Sequence, residues 1–100
     1  MLVAGIAKLY LGSDEEAASW LRRAIETNRN FPLAHFFLAA TCAHLGLVSE
    51  AAAATKAGLA LYPTFTIHRF RAGASSNNPT YLIQRERLYD GMRKAGVPEE

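Results

Sequence analysis

The sequence predicts an all-α chain of about six short helices arranged as repeated helix–turn–helix units. Three observations carry that prediction. Half of the 100 residues are apolar and 20% are charged, alanine is abundant, and β-branched runs are scarce, which suits a globular helical chain. The stretch Phe31 to Leu45 holds no Asp, Glu, Lys or Arg. At about 100° per residue it carries two apolar stripes on opposite sides, so it is a central helix covered by protein on more than one side. Finally, the chain matches itself at an offset of 34 residues: Leu11-Gly12 recurs as Leu45-Gly46, and Glu16-Ala17-Ala18 as Glu50-Ala51-Ala52. Self-similarity at such a period marks stacked helical repeats.

Each helix has start and stop signals. Met1 to Leu11 places Leu2, Ile6 and Leu9 on one face, and Gly12 ends it. Ser13-Asp14-Glu15-Glu16 reads as a capping box, with three acids suited to the positive end of a helix dipole. The helix it opens runs to about Asn28, with Ala17, Leu21, Ala24 and Ile25 as the buried stripe. Asn30 or Phe31 caps the central helix, Pro32 is tolerated in its first turn, and Gly46 stops it. A fourth helix spans about Ser49 to Leu61. Its alanines at 51–54 allow close approach to neighbours, and Pro63 separates it from the next element. Thr64 caps a short fifth helix through Ala72, residues 73–78 form a loop, and Asn78 with Pro79 opens a sixth helix to about Ala95. That last helix buries Tyr81, Leu88, Met92 and Ala95, with Leu82 and Tyr89 beside them, before Gly96 and Pro98 terminate it. The units are 1–30, 31–63 and a degenerate third unit with capping helices at 64–100.

The period and its residues resemble the tetratricopeptide repeat. The consensus slots of the second unit fall on His35, Leu38, Ala39, Cys42, Gly46, Ala51, Thr55, Gly58 and Pro63. Those of the first fall on Met1, Ala4, Gly5, Lys8, Gly12, Ala17, Leu21 and Ala24. Small residues and turns agree, whereas His35, Cys42 and Lys8 stand where Trp or Tyr is usual, so the repeat is divergent. A narrower resemblance covers the chain's end. Arg69-Phe70-Arg71-Ala72-Gly73, Asn78-Pro79-Thr80-Tyr81-Leu82 and the run from Arg85 to Glu99 are similar to the C-terminal tails of bacterial class III adenylate/guanylate cyclase-like proteins that carry such repeats. Arg22-Arg23-Ala24-Ile25-Glu26 and the run from Asn30 to Phe36 fit the same group. The resemblance implies a regulatory or interaction region of a signalling protein. Two alternatives stay open: part of an enzyme that makes cyclic nucleotides through a separate catalytic domain, and the repeat region of a winged-helix transcriptional regulator.

The residues themselves assemble no catalytic constellation. Cys42 and His35 share a face but occupy packing slots, which favours a buried thiol over a nucleophile. His35, His44, His68 and Cys42 match no zinc spacing, and His35 and His44 point to opposite sides, so no metal or other cofactor is expected. There is no strand scaffold for paired metal-binding carboxylates and no phosphate-cradling glycine loop. The charge is +2 overall but uneven. From Thr64 to Lys94 the six bases Arg69, Arg71, Arg85, Arg87, Arg93 and Lys94 face only Glu86 and Asp90. Arg85 and Arg87 lie 200° apart on a helix, so the charge forms no stripe for nucleic acid, and a solvated face or an acidic protein surface is expected instead. Gln84, Arg85, Glu86, Arg87 and Lys94 are expected to give the last helix its polar outer face. Nothing is long and apolar enough to span a membrane. No secretory signal precedes the first helix, and a lone cysteine fits a reducing, cytoplasmic setting.

The best binding candidate is the stripe Leu33, Phe36, Phe37 and Ala40, ending at His44. By the repeat register it faces the concave groove, with Ile67 and Phe70 from the third unit beside it. Such a groove takes a protein or peptide with an apolar or amphipathic segment. The alternative is that neighbouring helices cover the stripe. Leu33 and Phe37 replace two residues of the carboxylate clamp that chaperone-binding members use. At the other end, Met1 to Ala7 has no charge, which predicts a homodimer through the N-terminal helix.

Overall fold

The computed structural model describes residues 14–72 and 79–100. The expected first helix, Gly12, the Ser13 half of the capping box, the 73–78 loop and the Asn78 cap lie outside the described residues. So do the side chains of Tyr81, Leu82 and Gln84. Across the described residues the chain is all-helical. Five helices follow one another: α1 (Asp14–Thr27), α2 (Pro32–His44), α3 (Val48–Leu61), α4 (Ile67–Ala72) and α5 (Pro79–Ala95). No strand occurs among these residues, and no described helix is long and apolar enough to cross a membrane.

Helix α2 is the hub. It packs against α1, α3 and α5, and every residue from Ala34 to Cys42 is buried. The absence of charge from Phe31 to Leu45 is therefore the sequence image of three neighbours. Helix α1 contributes Ala17, Ala18, Leu21 and Ala24, the first, third and fourth of which belong to the expected stripe; Ile25 packs at its margin. Helix α3 buries Ala51, Ala54, Thr55 and Gly58, a spacing of three, one and three that lays one narrow face of small residues on α2. That face permits close contact. A β-carbon on Gly58 would sit 2.8 Å from the Phe36 ring, so the helix approaches that ring where only hydrogen leaves room.

The ends of α2 and α5 are closed by the same device. At Gly46 (φ +78°) the Leu47 N–H donates to the Cys42 carbonyl at 2.9 Å, and the Gly46 N–H to Ala43 at 3.2 Å. At Gly96 (φ +95°) Val97 donates to Met92 at 3.0 Å and Gly96 to Arg93 at 3.1 Å. Both are Schellman motifs, whose left-handed residue is cheap only for glycine. Pro32 begins α2 after extended Phe31, as expected. Two starts differ from expectation. Helix α3 begins at Val48 with Leu47 as its unadorned cap, so Ser49 lies inside the first turn. Helix α4 is capped by Thr66, whose hydroxyl oxygen accepts from the Arg69 N–H at 3.1 Å, two residues beyond the expected Thr64.

Helix α5 lies chiefly across α2 and touches α3 and α4 more lightly. It inserts Leu88, Tyr89 and Met92 into the core. Its crossing with α2 is tight at Gly91, where a β-carbon would meet the Ala40 carbonyl oxygen at 2.7 Å and His44 Nε2 at 2.8 Å. His44 Nε2–H donates to the Arg87 carbonyl at 2.8 Å in the same crossing. Thr55 Oγ1 reaches the carbonyls of Ala51 at 3.0 Å and Ala95 at 3.1 Å, tying α3 to an end carbonyl of α5. Past α5 the chain returns to α4: the N–H groups of Ile67 and His68 donate to the carbonyls of Pro98 and Glu99, both at 2.9 Å. A helix of six residues thus has its first two N-terminal donors satisfied by the C-terminal strap and the third by Thr66.

Candidate functional site

An aromatic groove lies where the start of α2, the end of α3 and the short α4 meet. It has a volume of about 370 Å³ and is lined by Phe31, Pro32, Leu33, Tyr62, Phe65, Arg69 and Phe70. Its floor is a chain of ring contacts. Phe65 stacks on buried Phe36 with centroids 3.9 Å apart and an interplanar angle of 11°. Tyr62 and Phe70 each sit 5.9 Å from Phe65, and Phe70 meets Phe37 and Tyr89 edge-on at the same distance. Offset and edge contacts of this kind hold rings in fixed orientations. Tyr62 remains 44% exposed and neighbouring Leu61 41%, so apolar surface continues from the groove to solvent.

The structure distributes the candidate residues unequally. Leu33 and Phe70 line the groove. Phe36, Phe37, Ala40 and Ile67 are core, each no more than 5% exposed. His44 is half-buried and engaged with the Arg87 carbonyl. The cause is α5, which crosses the stripe at Ala40 and His44, while Phe65 covers Phe36. Phe31, Pro32, Tyr62, Phe65 and Arg69 were not among the sequence candidates. The available signal was the pair of aromatics bracketing Pro63, together with Phe31-Pro32 at the opposite helix end: apolar rings at chain turns, where solvent reaches them.

Charges on α5 and α4 are largely spoken for. Arg87 forms a two-pronged ion pair with Asp14 at 2.9 and 2.7 Å, which raises the Arg87 pKa and joins α5 to the first turn of α1. Arg71 pairs with Glu86, Arg93 with Glu99 at 2.8 Å and Lys94 with Asp90 at 3.2 Å. Arg85 corrects the expected polar outer face, because it is buried. Its Nε donates to the Tyr89 hydroxyl at 2.7 Å and its Nη2 to the Phe70 carbonyl at 3.0 Å, with the guanidinium 4.2 Å from the Phe70 ring centre. Those contacts offset the desolvation of a buried cation. Arg69, on the groove rim, forms no ion pair among the described residues.

A second, shallower hollow of about 230 Å³ is lined by Glu15, Ala18, Arg22, Leu45 and Leu47. Arg22 bonds Glu50 twice at 2.7 Å, which holds the Glu50 carboxyl below its ordinary range. Cys42 is fully buried. Burial, reinforced by the Glu50 charge, pushes its thiol up to about 11, the reverse of what a nucleophile needs. His35 Nε2–H donates to the Arg29 carbonyl at 3.0 Å. Among the described residues no three His, Cys, Asp or Glu side chains gather to hold a metal ion. In comparisons with known proteins, no family model, no curated protein and no solved structure matches this chain.

Proposed function

We propose that the chain is a non-catalytic helical interaction module of tetratricopeptide type, and that it binds a partner segment in the aromatic groove at the end of α2. The observation that carries this reading is the groove itself: exposed aromatic surface continuous with a packed aromatic floor. Interaction surfaces concentrate their energy in such anchored aromatic patches. Support for the repeat reading comes from the 34-residue period and from Gly58 and Ala51, which fall on repeat slots and lie in the close contact between α2 and α3. The wider setting, a regulatory tail of a cyclase-like signalling protein, rests on the resemblance of the last 30 or so residues, and its cytoplasmic placement on the lone cysteine. The alternatives of a cyclic-nucleotide enzyme part or a transcriptional regulator's repeat region have no residue in the groove to favour them.

The module binds its partner through side-chain anchoring and needs no cofactor. A random dodecapeptide library displayed on phage and panned against the chain tests this. Enriched sequences rich in apolar residues, whose binding drops at least tenfold on Tyr62→Ser, are expected. Failure to enrich any sequence, or binding indifferent to Tyr62→Ser, refutes it. The uncharged run from Met1 to Ala7 supports a second contact, self-association through the N-terminal segment. Sedimentation at micromolar concentration is expected to show a dimer that charged substitutions at Val3 and Ile6 dissociate.

A further inference from the structure

We infer that the groove's occupant is a short peptide segment carrying an acidic residue beside an apolar anchor, with Arg69 receiving the carboxylate. The inference rests on the interaction reading above and adds the chemistry of the partner. Three observations point to it.

The first is the accounting of cations. Of the six bases between Thr64 and Lys94, Arg71, Arg87, Arg93 and Lys94 each hold a carboxylate, and Arg85 is buried against Tyr89 and Phe70. Arg69 is exposed, forms no ion pair among the described residues, and lines the groove. A guanidinium presents a planar fork of donors that matches a carboxylate in two parallel hydrogen bonds.

The second is shape. A volume of about 370 Å³ is at the small end of ligand pockets. With walls of Phe31, Leu33, Tyr62 and Phe70, it accepts one or two apolar side chains. The third is the absence of competing charge in that lining, which contains no Asp or Glu. An entering carboxylate meets one cation and no repulsion.

The same elements weigh against a nucleic acid strand. Affinity for a polyphosphate grows with the number of phosphates neutralised. Here the groove lining offers a single cation, Arg69, while Arg71, Arg87, Arg93 and Lys94 hold carboxylates of their own and Arg85 is buried beneath the rings.

The test uses the full chain immobilised on resin and pools of acetylated, amidated octapeptides, so that no terminal carboxylate confuses the result. One pool draws on Leu, Phe, Ser, Gly and Asp in random order. A second replaces Asp by Asn, a third replaces it by Lys, and a random single-stranded DNA dodecamer is the fourth probe. Retention of the Asp pool is expected to exceed that of the Asn pool by about three- to tenfold, the range for a partly exposed charge-assisted contact. Tyr62→Ser is expected to abolish retention. Arg69→Glu, checked for intact helicity by circular dichroism, is expected to reverse the preference toward the Lys pool, a change that loss of structure does not produce. Equal retention of the Asp and Asn pools, still lost on Tyr62→Ser, overturns the acidic-partner inference and leaves the interaction reading standing. Preferred retention of the DNA probe overturns it as well. No retention sensitive to Tyr62→Ser overturns both.

Discussion

Replacing Gly91 by alanine tests the packing that shapes this molecule. In an exposed helix the change is favourable by about 1 kcal/mol, because alanine loses less backbone freedom on folding. In α5 the new methyl meets the Ala40 carbonyl oxygen at 2.7 Å and His44 Nε2 at 2.8 Å, where ordinary contact begins at 3.4 Å. The shortfall is about 0.7 Å against a carbonyl in the buried middle of α2, which has little freedom to move. Relief therefore comes from lifting α5. A lift of about 0.7 Å stretches the 2.8 Å bond from His44 to the Arg87 carbonyl out of hydrogen-bonding range. Overpacking of this kind costs about 1–3 kcal/mol and the lost bond about 1, while helix propensity returns about 1. The expected result is a net loss of roughly 1–3 kcal/mol, at about 4–8 °C in Tm per kcal/mol for a domain of this size. Urea and thermal unfolding followed at 222 nm and by Trp20 fluorescence measure it. A Gly91→Ala variant as stable as the parent, or more so, refutes the close crossing of α2 and α5.

Three further outcomes follow from named contacts. A double-mutant cycle with Asp14→Asn and Arg87→Gln is expected to give a coupling of about 0.5–1.5 kcal/mol, since the pair is two-pronged and Asp14 is only 13% exposed; additive effects would show that α5 does not hold α1 there. Cys42, fully buried with its thiol raised to about 11, is expected to react with iodoacetamide at pH 8 only as fast as the chain opens, and rapid labelling of the native protein contradicts its placement. Glu50 is held below its ordinary value of 4.5 by Arg22, so the folded state binds fewer protons than the unfolded one: the pair's contribution is present above that value and lost as pH falls through the lowered one. Because both side chains are about two-fifths exposed, the expected loss is under about 1 kcal/mol, and Glu50→Gln is expected to flatten the slope; an unchanged slope removes the pair from the account of acid stability.

Much of the fold was legible because it depends on local chemistry. Gly46 and Gly96 sit at φ values that favour glycine, Pro32 stands where a missing N–H costs nothing, and the uncharged run in α2 reports burial on several sides. What was not legible is which neighbour does the burying. A two-striped helix shows that both faces are covered or used, but periodicity carries no information about the identity of the cover. The sequence features that bear on it are Gly58 and Gly91, residues that cost about 1 kcal/mol inside a helix and that here stand where a neighbouring helix comes close. Arg85 misled for a related reason. Charge in sequence suggests solvent, whereas in space a guanidinium is readily placed over an aromatic ring and against a helix-end carbonyl.

The position of the open groove follows from the same crossing. Helix α5 reaches α2 through Leu88, Gly91 and Met92, so it covers the Ala40 and His44 end of the stripe and leaves the Leu33 end free. Helix α4 is held nearby by its own borrowed partners: the C-terminal strap bonds its first N–H groups, and Arg85 bonds the Phe70 carbonyl near its end. A six-residue helix has little stability of its own. Both anchors of α4 therefore originate in α5 and the segment that follows it, and α4 in turn presents Arg69 and Phe70 to the groove. Loosening α5 in the Gly91→Ala variant should consequently weaken peptide retention at a site that α5 does not line. Closing of the core and shaping of the groove are then one event, transmitted through Arg85 and the strap.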